Sequence, residues 1–184
     1  MHVPSDEEIV RRVQKGEKES FSVLVERYEN KITRYGRKFL SGGADIQDLT
    51  QEIFVKAYVN IQSVDTSKKF SSWLYRVAHN EFVNALKKKK REPFLFFDVD
   101  ELFSHPVSPE TADRKAYQNE LEHVLKHCLE ALHPKYKEPL ILYYFEELSY
   151  QEISEVLHIP VATVGVRLGR GRALLKEKCS SLHS

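Results

Sequence analysis

SYQEISEVLHIPVATVGVRLGRGRALLKEK, residues 149–178, holds the signals for two short helices with a tight turn between them. Ser149 followed three residues later by Glu152 is a capping box, and Ile153, Val156 and Leu157 recur at helical spacing until the run stops at His158. Ile159 and Pro160 form the junction, because proline presets φ for a first helical turn and lacks only an amide hydrogen that would be unpaired there. In the second helix Val164, Leu168 and Leu175 face inward, while Arg167, Arg170, Arg172, Lys176 and Lys178 outweigh the single Glu177. The segment reads as a helix-turn-helix whose basic second helix suits a DNA major groove. The plainer alternative is a helical hairpin with a solvated basic surface.

Upstream, a helix on Leu121, Val124, Leu125, Cys128 and Leu132 and a second from LHPKYKEPLILYYFEEL complete a four-helix unit over 114–184. Pro139, five residues after Pro134, predicts that the second of these starts late or kinks. Gly165, Gly169 and Gly171 cost the recognition helix roughly 2 to 3 kcal/mol of propensity relative to alanine.

Residues 1–91 form the other unit. Ser5 with Glu8 is a capping box ahead of Ile9, Val10 and Val13, and Gly16 ends that helix. Phe21, Leu24, Val25, Tyr28, Ile32, Tyr35 and Phe39 predict a long amphipathic helix, slightly weakened by Gly36 and closed by Gly42 and Gly43. From Asp45 to Asn60, Ile46, Leu49, Ile53 and Ala57 make an apolar side, with Asp48, Gln51 and Glu52 on another. Residues 61–69 read as a polar loop. The helix after it has Leu74, Ala78, Phe82 and Ala85 on one face and Trp73, Arg76, Asn80, Asn84 and Lys87 on another, running into Lys87–Arg91. An aromatic platform, a guanidinium and amides beside a basic block suit a nucleic-acid strand, against the alternative of an ordinary solvated face.

The net charge of +1 conceals an asymmetry, for residues 1–91 carry 18 Lys and Arg against 12 Asp and Glu, and residues 92–184 carry 10 against 15. Much of the acidic excess lies in 92–113, a stretch with three prolines and no Lys or Arg that reads as an interdomain linker. Its Phe94, Leu95, Phe96, Phe97, Leu102 and Phe103 suggest that part of it docks on something. The fold class is therefore all-α, two small helical domains joined by an acidic linker. No apolar run reaches the roughly 20 residues of a membrane span and the N-terminus has no signal-peptide core, so a cytoplasmic protein without membrane insertion is expected. Cys128 and Cys179 are far apart and support neither a disulfide framework nor a zinc site, and Cys128 reads as a small core hydrophobe. His123 and His127 stand one turn apart without a nearby third ligand, and no cluster supplies metal or hydrolytic chemistry; neither metal, cofactor nor catalytic residue is expected.

DLTQEIFVKAY (48–58), FSSWLYRVAHN (70–80) and the block 132–175 resemble, in order and spacing, the polymerase-binding, promoter-melting and minus-35-reading segments of the extracytoplasmic-function (ECF, group 4) sigma factors. The resemblance covers nearly the whole chain. It implies a factor, not itself an enzyme, that binds core RNA polymerase and directs it to a promoter, with an anti-sigma protein as a further potential partner. By that resemblance Asp48, Gln51, Glu52 and Lys56 dock on the coiled coil of the polymerase clamp. Lys69, Phe70, Ser71, Trp73, Arg76, Asn80, Asn84 and Lys87 open and hold the minus-10 element, and Thr163, Arg167, Arg170 and Arg172 bind the minus-35 element. Capture of unpaired bases offsets an unstacking cost of roughly a few kcal/mol per flipped base. A stand-alone helix-turn-helix regulator is the alternative, and it has no need of the polar face at Asp48–Lys56.

Overall fold

The computed structural model describes residues 3–40, 45–91 and 124–181, and every regular element among them is helical. The 92–113 linker, and residues 114–123 of the helix expected after it, lie outside the described residues, as does His123. Helix α1 (Asp6–Gln14) opens on the expected capping box, with Ser5 and Glu8 each bonding the other's backbone. It ends at Gly16, whose φ of +105° suits glycine. Helix α2 (Phe21–Phe39) buries Leu24, Tyr28, Ile32, Tyr35 and Phe39 along one stripe. Asp45 caps α3 (Ile46–Val59) through the amides of Gln47 and Asp48, and Thr50, Ile53, Phe54 and Ala57 turn inward. Helix α4 (Phe70–Arg91) sinks Phe70, Leu74, Tyr75, Ala78 and Phe82 into the same core.

Gly36 has a packing role. A Cβ there would lie 2.8 Å from Cζ of Phe82 and 3.2 Å from Cγ2 of Ile46, and the Phe82 ring is itself pinned edge-on to Tyr35 at 5.0 Å. Gly36 is what lets α2 and α4 approach. Gly36→Ala should therefore lower stability by about 1–2 kcal/mol, since overpacking outweighs the ~1 kcal/mol gained in propensity. At Gly169 an added Cβ meets nothing within 4 Å, so Gly169→Ala should raise stability by up to about 1 kcal/mol. Urea midpoints of the two variants should move in opposite directions.

The second unit comprises a helical stretch over 124–130 (α5), α6 (Pro134–Tyr144), α7 (Tyr150–Leu157) and α8 (Val161–Ser181). Two expectations change here. First, of the late start or kink expected from Pro139, the late start does not occur: Pro134 is the first residue of α6, His133 caps it through the amide of Lys135, and Pro139 sits buried inside it. The carbonyl left without an amide partner is that of Lys135, an exposed first-turn residue, and that lowers the cost of an interior proline. Second, Cys128 and Cys179 form a disulfide, with Cα atoms 5.4 Å apart across 51 residues of sequence. Folding brings the end of α8 back onto α5, an approach that no local Cys spacing encodes. The core reading of Cys128 stands, for it is 1% exposed.

The two units share one continuous apolar cluster. Helix α6 packs on α2 and α7 on α4, while α6 and α7 both pack on α8.

Candidate nucleic-acid interface

Helix α7 begins with a complete capping box, in which Ser149 accepts from the amide of Glu152 and the Glu152 carboxylate accepts from the amide of Ser149. It stops at His158, which adopts the left-handed conformation (φ 52°). Ser154 Oγ donates to the Ile159 carbonyl at 2.6 Å, and the Pro160 carbonyl accepts from Thr163 and Val164, starting α8 at once. Ile153, Val156, Leu157, Val164 and Leu168 close the space between the two helices. On the outer side Arg170 and Arg172 are exposed, while Thr163 and Arg167 are half-buried. Arg170 stands beside the Tyr136 hydroxyl and lowers its pKa. The three glycines do not interrupt α8. Gly171 faces Leu140 and the Tyr136 carbonyl, at 3.1 and 3.2 Å from a hypothetical Cβ, so it serves the contact with α6.

On α4 the expected stripe divides. Asn80, Asn84 and Lys87 are exposed, Arg76 is half-buried, and Trp73 lies partly buried over the core with its ring 5.8 Å from that of Phe70. Phe70 itself is fully buried, 5.8 Å from the Tyr28 ring, so it is not on this surface; it anchors the helix start. Ser71 is half-buried and lies beside the Tyr28 hydroxyl. Ahead of the helix, residues 61–69 form a short 3-10 turn (Ile61–Ser63) and then a tight bend in which Asp65 accepts from the amide and hydroxyl of Ser67. Those bonds hold the Asp65 carboxyl below its ordinary range. Lys69 donates to Glu152 of α7 at 2.9 Å. Burial works to raise the Glu152 carboxyl, but hydrogen bonds from Ser149 and Lys69 outweigh it and hold it low.

Asp48, Gln51, Glu52 and Lys56 are all exposed on α3, with Lys56 paired to Glu81 of α4. Sequence reading missed two residues of that face: Val55 and Val59 are 62% and 71% exposed beside the carboxylates. Their signal was present, since both fall on the helical stripe of Asp48 and Glu52 and off that of Ile53 and Ala57.

Also unforeseen is a polar cluster between the two units. Arg34 of α2 makes two hydrogen bonds to the Glu146 carboxylate, each 2.9 Å, and a third to the Phe145 carbonyl. Tyr75 donates to Glu146 at 2.7 Å, Tyr35 donates to Glu138, and Nδ1 of His79 lies 2.6 Å from Glu138. Burial, reinforced by these carboxylates, pushes the Tyr35 and Tyr75 hydroxyls well above their ordinary pKa, so they remain donors.

The Sigma-70 region 2 family matches residues 24–92, and the Sigma-70, region 4 family matches residues 122–175. The chain is 35% identical to the ECF RNA polymerase sigma factor SigW of Bacillus subtilis, over 94% of this chain and 96% of that one. It is 34% identical to the ECF RNA polymerase sigma-E factor of Haemophilus influenzae, over 97% of each. In fold it is similar to CnrH, solved in complex with the cytosolic domain of CnrY, with a TM-score of 0.73 over 97% of this chain and 99% of that one at 23% identity. With relatives at this identity spanning nearly the whole length, and with both region families matched in order, the chain belongs to the ECF RNA polymerase sigma factors.

Proposed function

We propose that the chain is a group 4 sigma factor acting in the cytoplasm, not an enzyme by itself, with residues 1–91 and 114–184 as working domains and 92–113 as their tether. In this reading the exposed α3 face of Asp48, Gln51, Glu52 and Lys56 docks on the coiled coil of the core polymerase clamp. Loop 61–69 with Ser71, Trp73, Arg76, Asn80, Asn84 and Lys87 takes the melted minus-10 strand. Thr163, Arg167, Arg170 and Arg172 take the minus-35 duplex, mostly through phosphates, because Gly165, Val166 and Gly169 bring no hydrogen-bonding side chain to base edges. An anti-sigma protein is a further partner of this class of factor. Among the described residues no helix is long and apolar enough to cross a membrane.

The observation that carries the reading is the pairing of two different surfaces on consecutive helices. On α3, exposed Val55 and Val59 lie among carboxylates, as at a protein-docking patch with a polar rim. On α4, exposed amides run into a basic end, as on a surface for nucleic acid. A regulator acting alone on duplex DNA needs only the second. Asp48→Lys with Glu52→Lys should lower co-purification with core polymerase about tenfold or more, while stability moves by less than about 0.5 kcal/mol because both sites are exposed. Undiminished binding would remove the clamp assignment. Tight, sequence-selective duplex binding without core would favour the stand-alone regulator.

A further inference from the structure

Helix α1 precedes the 24–92 match, and none of the roles above uses it. Two of its polar side chains nevertheless reach the loop that leads into α4, one at each end. Nε2 of Gln14 donates to the carbonyls of Ile61 at 2.9 Å and Val64 at 3.0 Å. Gln62 returns a bond from its own Nε2 to the Gln14 carbonyl at 3.2 Å. At the far end Oε1 of Glu7 accepts the Phe70 amide at 2.9 Å. The residue before Phe70 is Lys69, whose side chain has no acceptor to cap the helix, so a carboxylate from another helix fills that place.

The base from which these side chains act is rigid. Ile9, Val10 and Val13 are buried, and Asp6 is held by Arg27 at 2.7 Å and by the Tyr28 hydroxyl. Between the two clamps only 65–69 remains, tightened by the Asp65–Ser67 bonds. Ser67 and Lys68 are exposed at its tip. A loop tied at both ends meets its ligand already ordered, so the entropy cost is met on folding and a small displacement is costly for recognition.

We propose that α1 is a positioning element for minus-10 recognition, with Gln14 and Glu7 holding the two ends of loop 61–69 so that its tip presents a preformed pocket to an unpaired base. This rests on the reading of that loop as part of the minus-10 surface. Neither Gln14 nor Glu7 touches the nucleic acid; both act through the loop backbone. A purely structural role for α1 would lower stability without altering which bases are preferred.

The test uses holoenzyme assembled from full-length chain and core polymerase, a fluorescent single-stranded minus-10 oligonucleotide, and a series of the same oligonucleotide with each base replaced in turn. Gln14→Ala and Glu7→Ala should weaken binding of the unaltered oligonucleotide about tenfold, the worth of one or two lost hydrogen bonds. They should also flatten the preference at the position held by the loop and leave it intact at the others. Glu7→Gln, which keeps an oxygen acceptor at the Phe70 amide, should restore the preference lost in Glu7→Ala. Asp65→Ala, which loosens the loop tip directly, should flatten the same position. If Asp65→Ala flattens it while Gln14→Ala and Glu7→Ala do not, the loop reading stands and the role of α1 is refuted. If Asp65→Ala leaves every preference unchanged, the loop reading fails and the proposal with it. A uniform loss over all oligonucleotides in the α1 variants, tracking their melting temperatures, also overturns it.

Discussion

Arg34→Ala should destabilise the full chain by about 3 kcal/mol, more than its half-exposed side chain suggests. The reason lies in its partner. The Glu146 side chain is 0% exposed, whereas that of Arg34 is 48% exposed, so removing the guanidinium leaves a carboxylate out of water with only the Tyr75 hydroxyl to solvate it. It also removes the bond to the Phe145 carbonyl. Glu146→Ala should cost less, about 2 kcal/mol, because Arg34 can turn to solvent and the main loss is the acceptor for the buried Tyr75 hydroxyl. The double variant should fall well short of the sum, with a coupling of about 2 kcal/mol in a double-mutant cycle by urea unfolding. Additive effects would mean that the carboxylate finds other donors once Arg34 is gone. Because Arg34 belongs to α2 and Glu146 follows α6, the same variants should loosen one unit from the other, and a single unfolding transition should separate towards two.

Reduction of the Cys128–Cys179 bond should cost about 4 kcal/mol, the loop-closure entropy expected for a bond spanning 51 residues. The closed loop contains α6, α7 and α8, so the whole helix-turn-helix is tied at both ends. Cys128 is packed into the core as well as bonded, so the loss is expected chiefly from the unfolded chain regaining freedom rather than from folded contacts. With dithiothreitol the melting temperature should fall on the order of 10 °C. Cys179→Ser should melt at the reduced value whether or not reductant is present. The carboxyl end of α8 should show the effect first, because Cys179 is its link back to α5 and three glycines already weaken the helix before it. Hydrogen exchange of the last turns of α8 in the oxidised and reduced protein would reveal this. An oxidised protein no more stable than the Cys179→Ser variant would show that the bond constrains nothing.

Local chemistry was sufficient for the helices and for their outer faces. The Ser5 and Ser149 capping boxes, the Leu24–Phe39 stripe and the stop at His158 each depend on residues within four positions of one another, a range over which hydrogen bonds and side-chain periodicity act directly. For the same reason Asp48, Gln51, Glu52, Asn80, Asn84, Arg170 and Arg172 could be placed outside from spacing alone, and they are exposed. Phe70 shows the limit: within a motif it reads as a contact residue, but its ring is consumed by the core beside Tyr28. Gly36 reads as a defect in a helix until Phe82, 46 residues on, is found against it. The Arg34, Tyr35 and Tyr75 bonds to Glu138 and Glu146, the Cys128–Cys179 bond, and the reach of Gln14 and Glu7 to the 61–70 segment all join residues between 47 and 112 positions apart. Such pairs leave no periodic trace, because a charged, aromatic or thiol side chain looks the same in sequence whether water or a distant partner satisfies it. The packing of α6 on α2 and of α7 on α4 brings the Glu138 and Glu146 partners together, and that of α1 on the 61–70 segment and of α8 back on α5 does so for the others, with apolar burial excluding the water that would otherwise satisfy them.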